Sequence, residues 1–154
     1  MSRPFPAAGW LAALQAGADQ PPRRPRVPLW AAGGVRIGSV ETDLFARAAL
    51  RPGIVEPAEH RGEAGWQVTG DLTGSMHELA SAMRACGLAH VWRDEQLAIT
   101  DERGRRVGTV ERAVVRPLGI ATFAVHLVGL SPDGRHWVQQ RSLTKANDPG
   151  CGIR

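Results

Sequence analysis

Apolar residues occur in short runs between turn formers, and their period changes along the chain. Trp10, Leu11 and Leu14, lying between Gly9 and Gly17, have helical spacing and predict a short helix. Residues 20–26 then place three prolines among three arginines, which removes backbone donors and rules out a regular element. Pro28 to Ala31 and Val35 to Val40 flank Gly33-Gly34. Two residues that tolerate positive φ between apolar runs predict a tight β-hairpin. Thr42 is expected to cap a short helix carrying Leu44, Phe45 and Ala48, with Pro52 as its stop.

Pro57 to Gly65 reads as a loop, and Trp66-Gln67-Val68 as a strand. Ser75-Met76-His77-Glu78 has the form of a capping box, in which the Ser hydroxyl and the Glu carboxylate each satisfy a backbone N–H at a helix start. Met76, Leu79, Ala80, Met83 and Cys86 follow on one face, and Gly87 supplies the stop. Cys86 is thus expected to be a small core residue rather than a nucleophile. Beyond residue 91 the pattern turns to β. Leu97 to Thr100 and Val107 to Val110 flank the turn Asp101-Glu102-Arg103-Gly104. Thr122 to Leu130 alternates Phe123, Val125 and Leu127 against Ala124, His126 and Val128. The turn Ser131-Pro132-Asp133-Gly134 then returns the chain as His136 to Arg141. The expected fold class is α+β.

Composition changes this picture little. At 154 residues, 43% hydrophobic and 22% charged, the chain is long enough and apolar enough for a core. The net charge of +4 comes almost wholly from arginine, with Lys145 the single lysine. Acidic residues are interleaved throughout, and the densest basic patch is Arg23-Arg24-Pro25-Arg26, so nucleic acid is not the expected partner. Cys86 and Cys151 are too few for a disulfide framework. No leader-like N-terminus and no membrane-length apolar run is seen, and a cytoplasmic location is expected.

Most chemical signatures fail on spacing. His77-Glu78 opens a zincin-type helix pattern, but Ser81 stands where the second His belongs. His60, His90, His126 and His136 have no ligand partners at metal spacing, so no metal residue is assigned. Gly33, Gly34 and Gly38 match neither a dinucleotide nor a P-loop fingerprint, and no Gly-x-Ser-x-Gly elbow exists. The five tryptophans are scattered singly, as core anchors rather than a stacking platform. Arg141, Ser142 and Lys145 follow a strand and precede Pro149-Gly150. A planar guanidinium and a mobile ammonium so placed suit a diphosphate, while a solvated loop pair has the same spacing.

The run Val110 to Ile120, then Ala124 to Gly129, Trp137 to Ser142, Lys145 and Asp148-Pro149-Gly150, resembles the opening of the Nudix domain. The subgroup is the Nudix hydrolases related to thiamin pyrophosphokinase, and Pro28 to Val40, the capped helix and Val91 to Glu95 are similar to its N-terminal domain of unknown function. The piece from Gln139 to Gly150 also resembles isopentenyl-diphosphate isomerase. The resemblance implies Mg²⁺-dependent hydrolysis of a nucleoside- or thiamin-type diphosphate, with Arg141, Ser142 and Lys145 on the substrate side. Mg²⁺ there is held by a glutamate box, since a hard cation needs clustered carboxylate oxygens. Here only Gly53 has a Glu six residues on, Glu59, and Gln67 stands where an Arg should follow. After Pro149-Gly150 the chain reads Cys151-Gly152-Ile153-Arg154 instead of running into the box, a break like a frameshift or early stop.

The resemblance divides the chain into an N-terminal helix and Pro/Arg linker (1–27), an accessory α+β domain (28–106) and the first strands of a Nudix-like α/β/α sandwich (107–154). No catalytic residue and no cofactor is expected in this chain. A non-catalytic diphosphate-binding or protein-interaction module is the alternative. Leftover strands leave an unpaired sheet edge, so self-association is expected.

Overall fold

The computed structural model describes residues 7–18, 23–125, 127–137 and 143. The fold is α+β. Helix α1 (Ala7–Ala18) precedes a four-stranded sheet made of β1 (Arg26–Ala31), β2 (Val35–Glu41), β3 (Val55–His60) and β4 (Glu63–Val68), with the short helix α2 (Leu44–Arg47) between its two hairpins. Helix α3 (Leu72–Ala85), the hairpin β5 (Gln96–Thr100) and β6 (Arg106–Glu111), and a last hairpin β7 (Gly129–Leu130) and β8 (His136–Trp137) complete the chain.

The sheet order is β2-β1-β4-β3. Both hairpins are antiparallel, and they join through the parallel pair β1–β4, in which Leu29 faces Trp66 and Trp30 faces Gln67. The expected hairpin at Gly33-Gly34 forms, although a 3-10 turn over Ala32–Gly34 replaces a two-residue turn and a bulge lies between Leu29 and Trp30. Strand β3 occupies much of the stretch expected to be loop. It carries Pro57, but it is the outermost strand, where a missing N–H costs no ladder bond.

Helix α3 packs on β6 and β4 and presents Met76, Leu79, Ala80 and Met83 to the interior. These meet Leu29, Val40, Val68, Ile99, Val110, Val114 and Leu118 in one core, which residues on both sides of position 106 share. Burying each large side chain is worth about 1.5–3 kcal/mol. The helix starts earlier than its capping-box motif indicates. Asp71 is the cap, its Oδ2 accepting from Gly74 N at 2.8 Å. Ser75 lies one turn inside and its hydroxyl donates to Thr69 O, while Glu78 pairs with Arg51 at 2.7 Å. Gly87 does end the helix, at φ 69°, with Leu88 N donating to Met83 O at 2.8 Å.

Other expectations are corrected. Thr42 does not cap α2; Asp43 holds that position, without a side-chain cap bond, and its carboxylate pairs with Arg47 at 3.3 Å. Cys86 is exposed rather than part of the core, and stands at the C-cap of α3. Its thiol donates to Ala48 O at 3.4 Å. Trp30 is buried and Trp66 packs edge-on against Phe45, but Trp137 is no core anchor, being 75% exposed. Of the strand expected over Thr122 to Leu130, the described residues form only Gly129–Leu130.

The turn after β6 closes over β2. Arg26 spans both, its Nη2 donating to Pro117 O at 2.8 Å and to Ser39 O, and its Nε to Ser39 Oγ at 3.1 Å. Ser39 N donates to Leu118 O at 3.0 Å, an approach open only because Gly38 has no side chain: a Cβ there would strike Leu118 O. Glu111, buried at the end of β6, caps the next turn, its Oε1 accepting from Ala113 N at 3.3 Å and Arg93 N at 3.4 Å.

Candidate functional site

Three hairpin turns come together at one end of the sheet. They are the β1–β2 turn at Gly33-Gly34, the β3–β4 turn at Arg61-Gly62, and the β5–β6 turn from Asp101 to Arg105. Between them lies a cleft of about 470 Å³.

Each turn is set by local chemistry. Arg61 and Gly62 both take positive φ, 53° and 80°, the geometry of a two-residue turn matched to strand twist. A non-glycine residue there costs about 1–2 kcal/mol, and it holds the Arg61 side chain at the rim. In the β5–β6 turn the Asp101 carboxylate gathers the backbone N–H groups of Arg103 and Arg105 at 2.9 and 2.8 Å, and the Arg105 Nε at 2.8 Å. The backbone bond from Arg105, aided by its guanidinium, holds the Asp101 carboxyl below its ordinary value.

The back wall is aromatic. Trp30 and His60 meet edge to face with ring centres 4.8 Å apart. His60 Nε2 lies 2.8 Å from Gln67 Oε1, within hydrogen-bond distance across the β3–β4 pair. The ring packs on Gly34 so closely that a Cβ there would lie 2.7 Å from Nδ1.

Four guanidiniums and three carboxylates line the cleft. Arg36 pairs with Glu63 at 3.6 Å and Arg105 with Asp101 at 2.8 Å. Arg61 and Arg103, on opposite turns, have no carboxylate partner among the described residues. With Glu102 the one carboxylate of the cleft outside these pairs, the lining keeps an excess of one positive charge, and two guanidinium forks on opposite turns suit an anion with several oxygens. A second hollow of about 530 Å³ shares Arg36, Asp101 and Glu102, and runs on past Ile37 and Gly119 to Phe123.

The cleft does not fit the Mg²⁺ that the Nudix resemblance implies. Glu63 and Asp101 are both committed to arginines. No group of three or more His, Cys, Asp or Glu that could hold a metal is found among the described residues. Arg141, Ser142 and Lys145, the substrate-side residues expected from sequence, lie outside the described residues.

Sequence reasoning missed the cleft. Two of its turns were legible singly, at Gly33-Gly34 and at Asp101 to Gly104, while Arg61-Gly62 fell within the stretch read as loop. The available signal was the Arg61-Gly62 pair itself, whose glycine suits a two-residue hairpin turn.

No protein-family model matches this chain, and no curated protein matches it.

Proposed function

We propose that the chain is a Nudix-related protein that holds a diphosphate-containing small molecule without hydrolysing it. The observation that carries the binding part is the cleft, where four guanidiniums meet three carboxylates and neither Arg61 nor Arg103 is in an ion pair among the described residues. The Trp30–His60 wall beside them would exclude water from one side of the ligand and so strengthen the ionic contacts. The kinship part rests on the resemblance of the segment from Glu111 to Gly150. That resemblance also assigns Arg141, Ser142 and Lys145 to the substrate side. A cytoplasmic location accords with the low cysteine count and the free Cys86. Among the described residues, no helix is long and apolar enough to cross a membrane.

Titration calorimetry with inorganic pyrophosphate tests the reading. The wild type should bind, more weakly as salt is raised. The double variant Arg61→Asn/Arg103→Ala should lose roughly tenfold or more in affinity, since a hydrogen bond to a charged group is worth about 1.5–3 kcal/mol. Asn is used at position 61 because it tolerates positive φ and keeps the turn. Undiminished binding by the double variant would remove the cleft as the site. Binding lost only in Lys145→Ala would move it to Arg141, Ser142 and Lys145. Phosphate release from pyrophosphate in the presence of Mg²⁺ would overturn the non-hydrolytic part.

A further inference from the structure

Between Ala121 and Trp137 the chain carries its large apolar side chains on the outside. Phe123 is 82%, Val125 92% and Leu127 98% exposed, and Val128, Leu130 and Trp137 are exposed as well. In the described chain before Ala121 only Val91 and Val107 are comparable, and they lie apart from one another in sequence. An aromatic side chain alone offers about 150–250 Å². Phe123 and Trp137 alone therefore offer about 300–500 Å², and four exposed aliphatic side chains add to it. The largest apolar patch of an ordinary monomer is about 300–600 Å², whereas a stable interface takes about 800 Å² from each partner.

The charge of this segment selects the occupant. Asp133 and Arg135 are its only charged residues, and they neutralise one another at 2.6 Å. Such a surface has one cation, already paired with Asp133, and no excess of either sign to demand anionic lipid or a charged partner. It also carries nothing to repel a copy of itself. Among the described residues, strands β7 and β8 pair only with each other, so each presents an outer edge with no strand partner there. An antiparallel edge meeting the same edge of a second molecule is self-complementary about a two-fold axis. We infer that Phe123, Val125, Leu127, Val128, Leu130 and Trp137 form the contact surface of a homodimer, in which the hairpin of one copy docks on that of the other. This inference stands apart from ligand binding, because none of its outcomes involves pyrophosphate.

Sedimentation equilibrium from micromolar to hundreds of micromolar protein, without ligand, is the test. The wild type should pass from monomer to dimer across that range. Phe123→Ser/Leu127→Ser should remain monomeric throughout, with the circular dichroism of the wild type, since neither side chain belongs to the core. A wild type that stays monomeric at every concentration overturns the inference, as does a double variant that dimerises equally well. Cosedimentation of monomeric wild type with neutral phosphatidylcholine vesicles would assign the surface to lipid and also overturn it. Should the double variant misfold, hydrogen exchange on the wild type decides instead. Amides between Ala121 and Trp137 should gain protection as concentration rises, and unchanged exchange there counts against a dimer.

Discussion

The hairpins β5–β6 and β7–β8 begin from nearly the same turn and end in different circumstances. In each, the first residue of a five-residue turn donates its N–H to the carbonyl of the fifth, Asp101 to Arg105 at 2.9 Å and Ser131 to Arg135 at 2.8 Å. In each, a glycine at the fourth position takes positive φ, 74° at Gly104 and 79° at Gly134, and an aspartate holds the arginine that follows. Five residue pairs follow in β5–β6, and Ile99 and Val110 are buried under α3. Only two pairs follow in β7–β8, and both Leu130 and Trp137 are exposed. Turn chemistry therefore starts a hairpin, and a packing partner extends it. An isolated two-stranded hairpin is marginal in water. Among the described residues, no helix packs against the apolar side chains from Phe123 onward.

The largest effect that separates the two regions comes from the core. Leu79→Ala, in the middle of α3, should lower unfolding free energy by about 2–5 kcal/mol, because transfer and cavity terms add at a fully buried site. Leu127→Ala should change it by no more than about 0.5 kcal/mol. Urea unfolding of both, at protein concentrations where the wild type is monomeric, reads the difference. Equal losses would mean that the last hairpin unfolds as part of the core, so that the two hairpins do not differ in cooperativity.

A smaller effect sharpens how α3 is anchored against β6. Asp71→Ala removes the N-cap acceptor and should cost about 0.5–2 kcal/mol. Glu78→Ala should cost under about 1 kcal/mol, since Glu78 makes only an exposed ion pair with Arg51. The reverse order would restore Ser75 and Glu78 as a capping box.

What was legible in the sequence tracks where short-range chemistry and burial coincide. The helical phase of Met76, Leu79, Ala80 and Met83 was readable because all four face one core. The true start was not, since Gly74 in the first turn masks helical character that the Asp71 cap and the packing below sustain. Strand β3 was hidden by Pro57 and its charged neighbours, which an edge strand accepts and a central one does not. The stretch from Thr122 to Leu130 misled in the opposite way: its alternation is intact, but period alone does not supply a neighbouring strand. Charge along the chain shows a dispersed arginine excess. The cleft exists only because positions 33–36, 60–63 and 101–105 meet in space, and one-dimensional spacing does not encode that meeting.

The smallest effect returns to the matched turns. Both aspartates are held below the ordinary carboxylate value of 3.8, by different donors. For Asp101 the main cause is the backbone N–H of Arg105, and for Asp133 the hydroxyl of Ser131. A carboxyl whose native value is lowered binds fewer protons folded than unfolded. Its contribution to stability is complete above 3.8 and is lost as pH falls through the lowered native value. For Asp101 that loss belongs to the whole body, since β5 and β6 are part of the core. For Asp133 it belongs to a hairpin outside the core, and protonation should open the β7–β8 turn alone. Carboxyl titration by NMR should find both groups shifted down. Urea unfolding over the same pH range should then lose part of its acid dependence in Asp101→Asn and none in Asp133→Asn. If Asp133→Asn alters the acid limb as much as Asp101→Asn does, the two hairpins unfold together and share one cooperative unit despite their different burial.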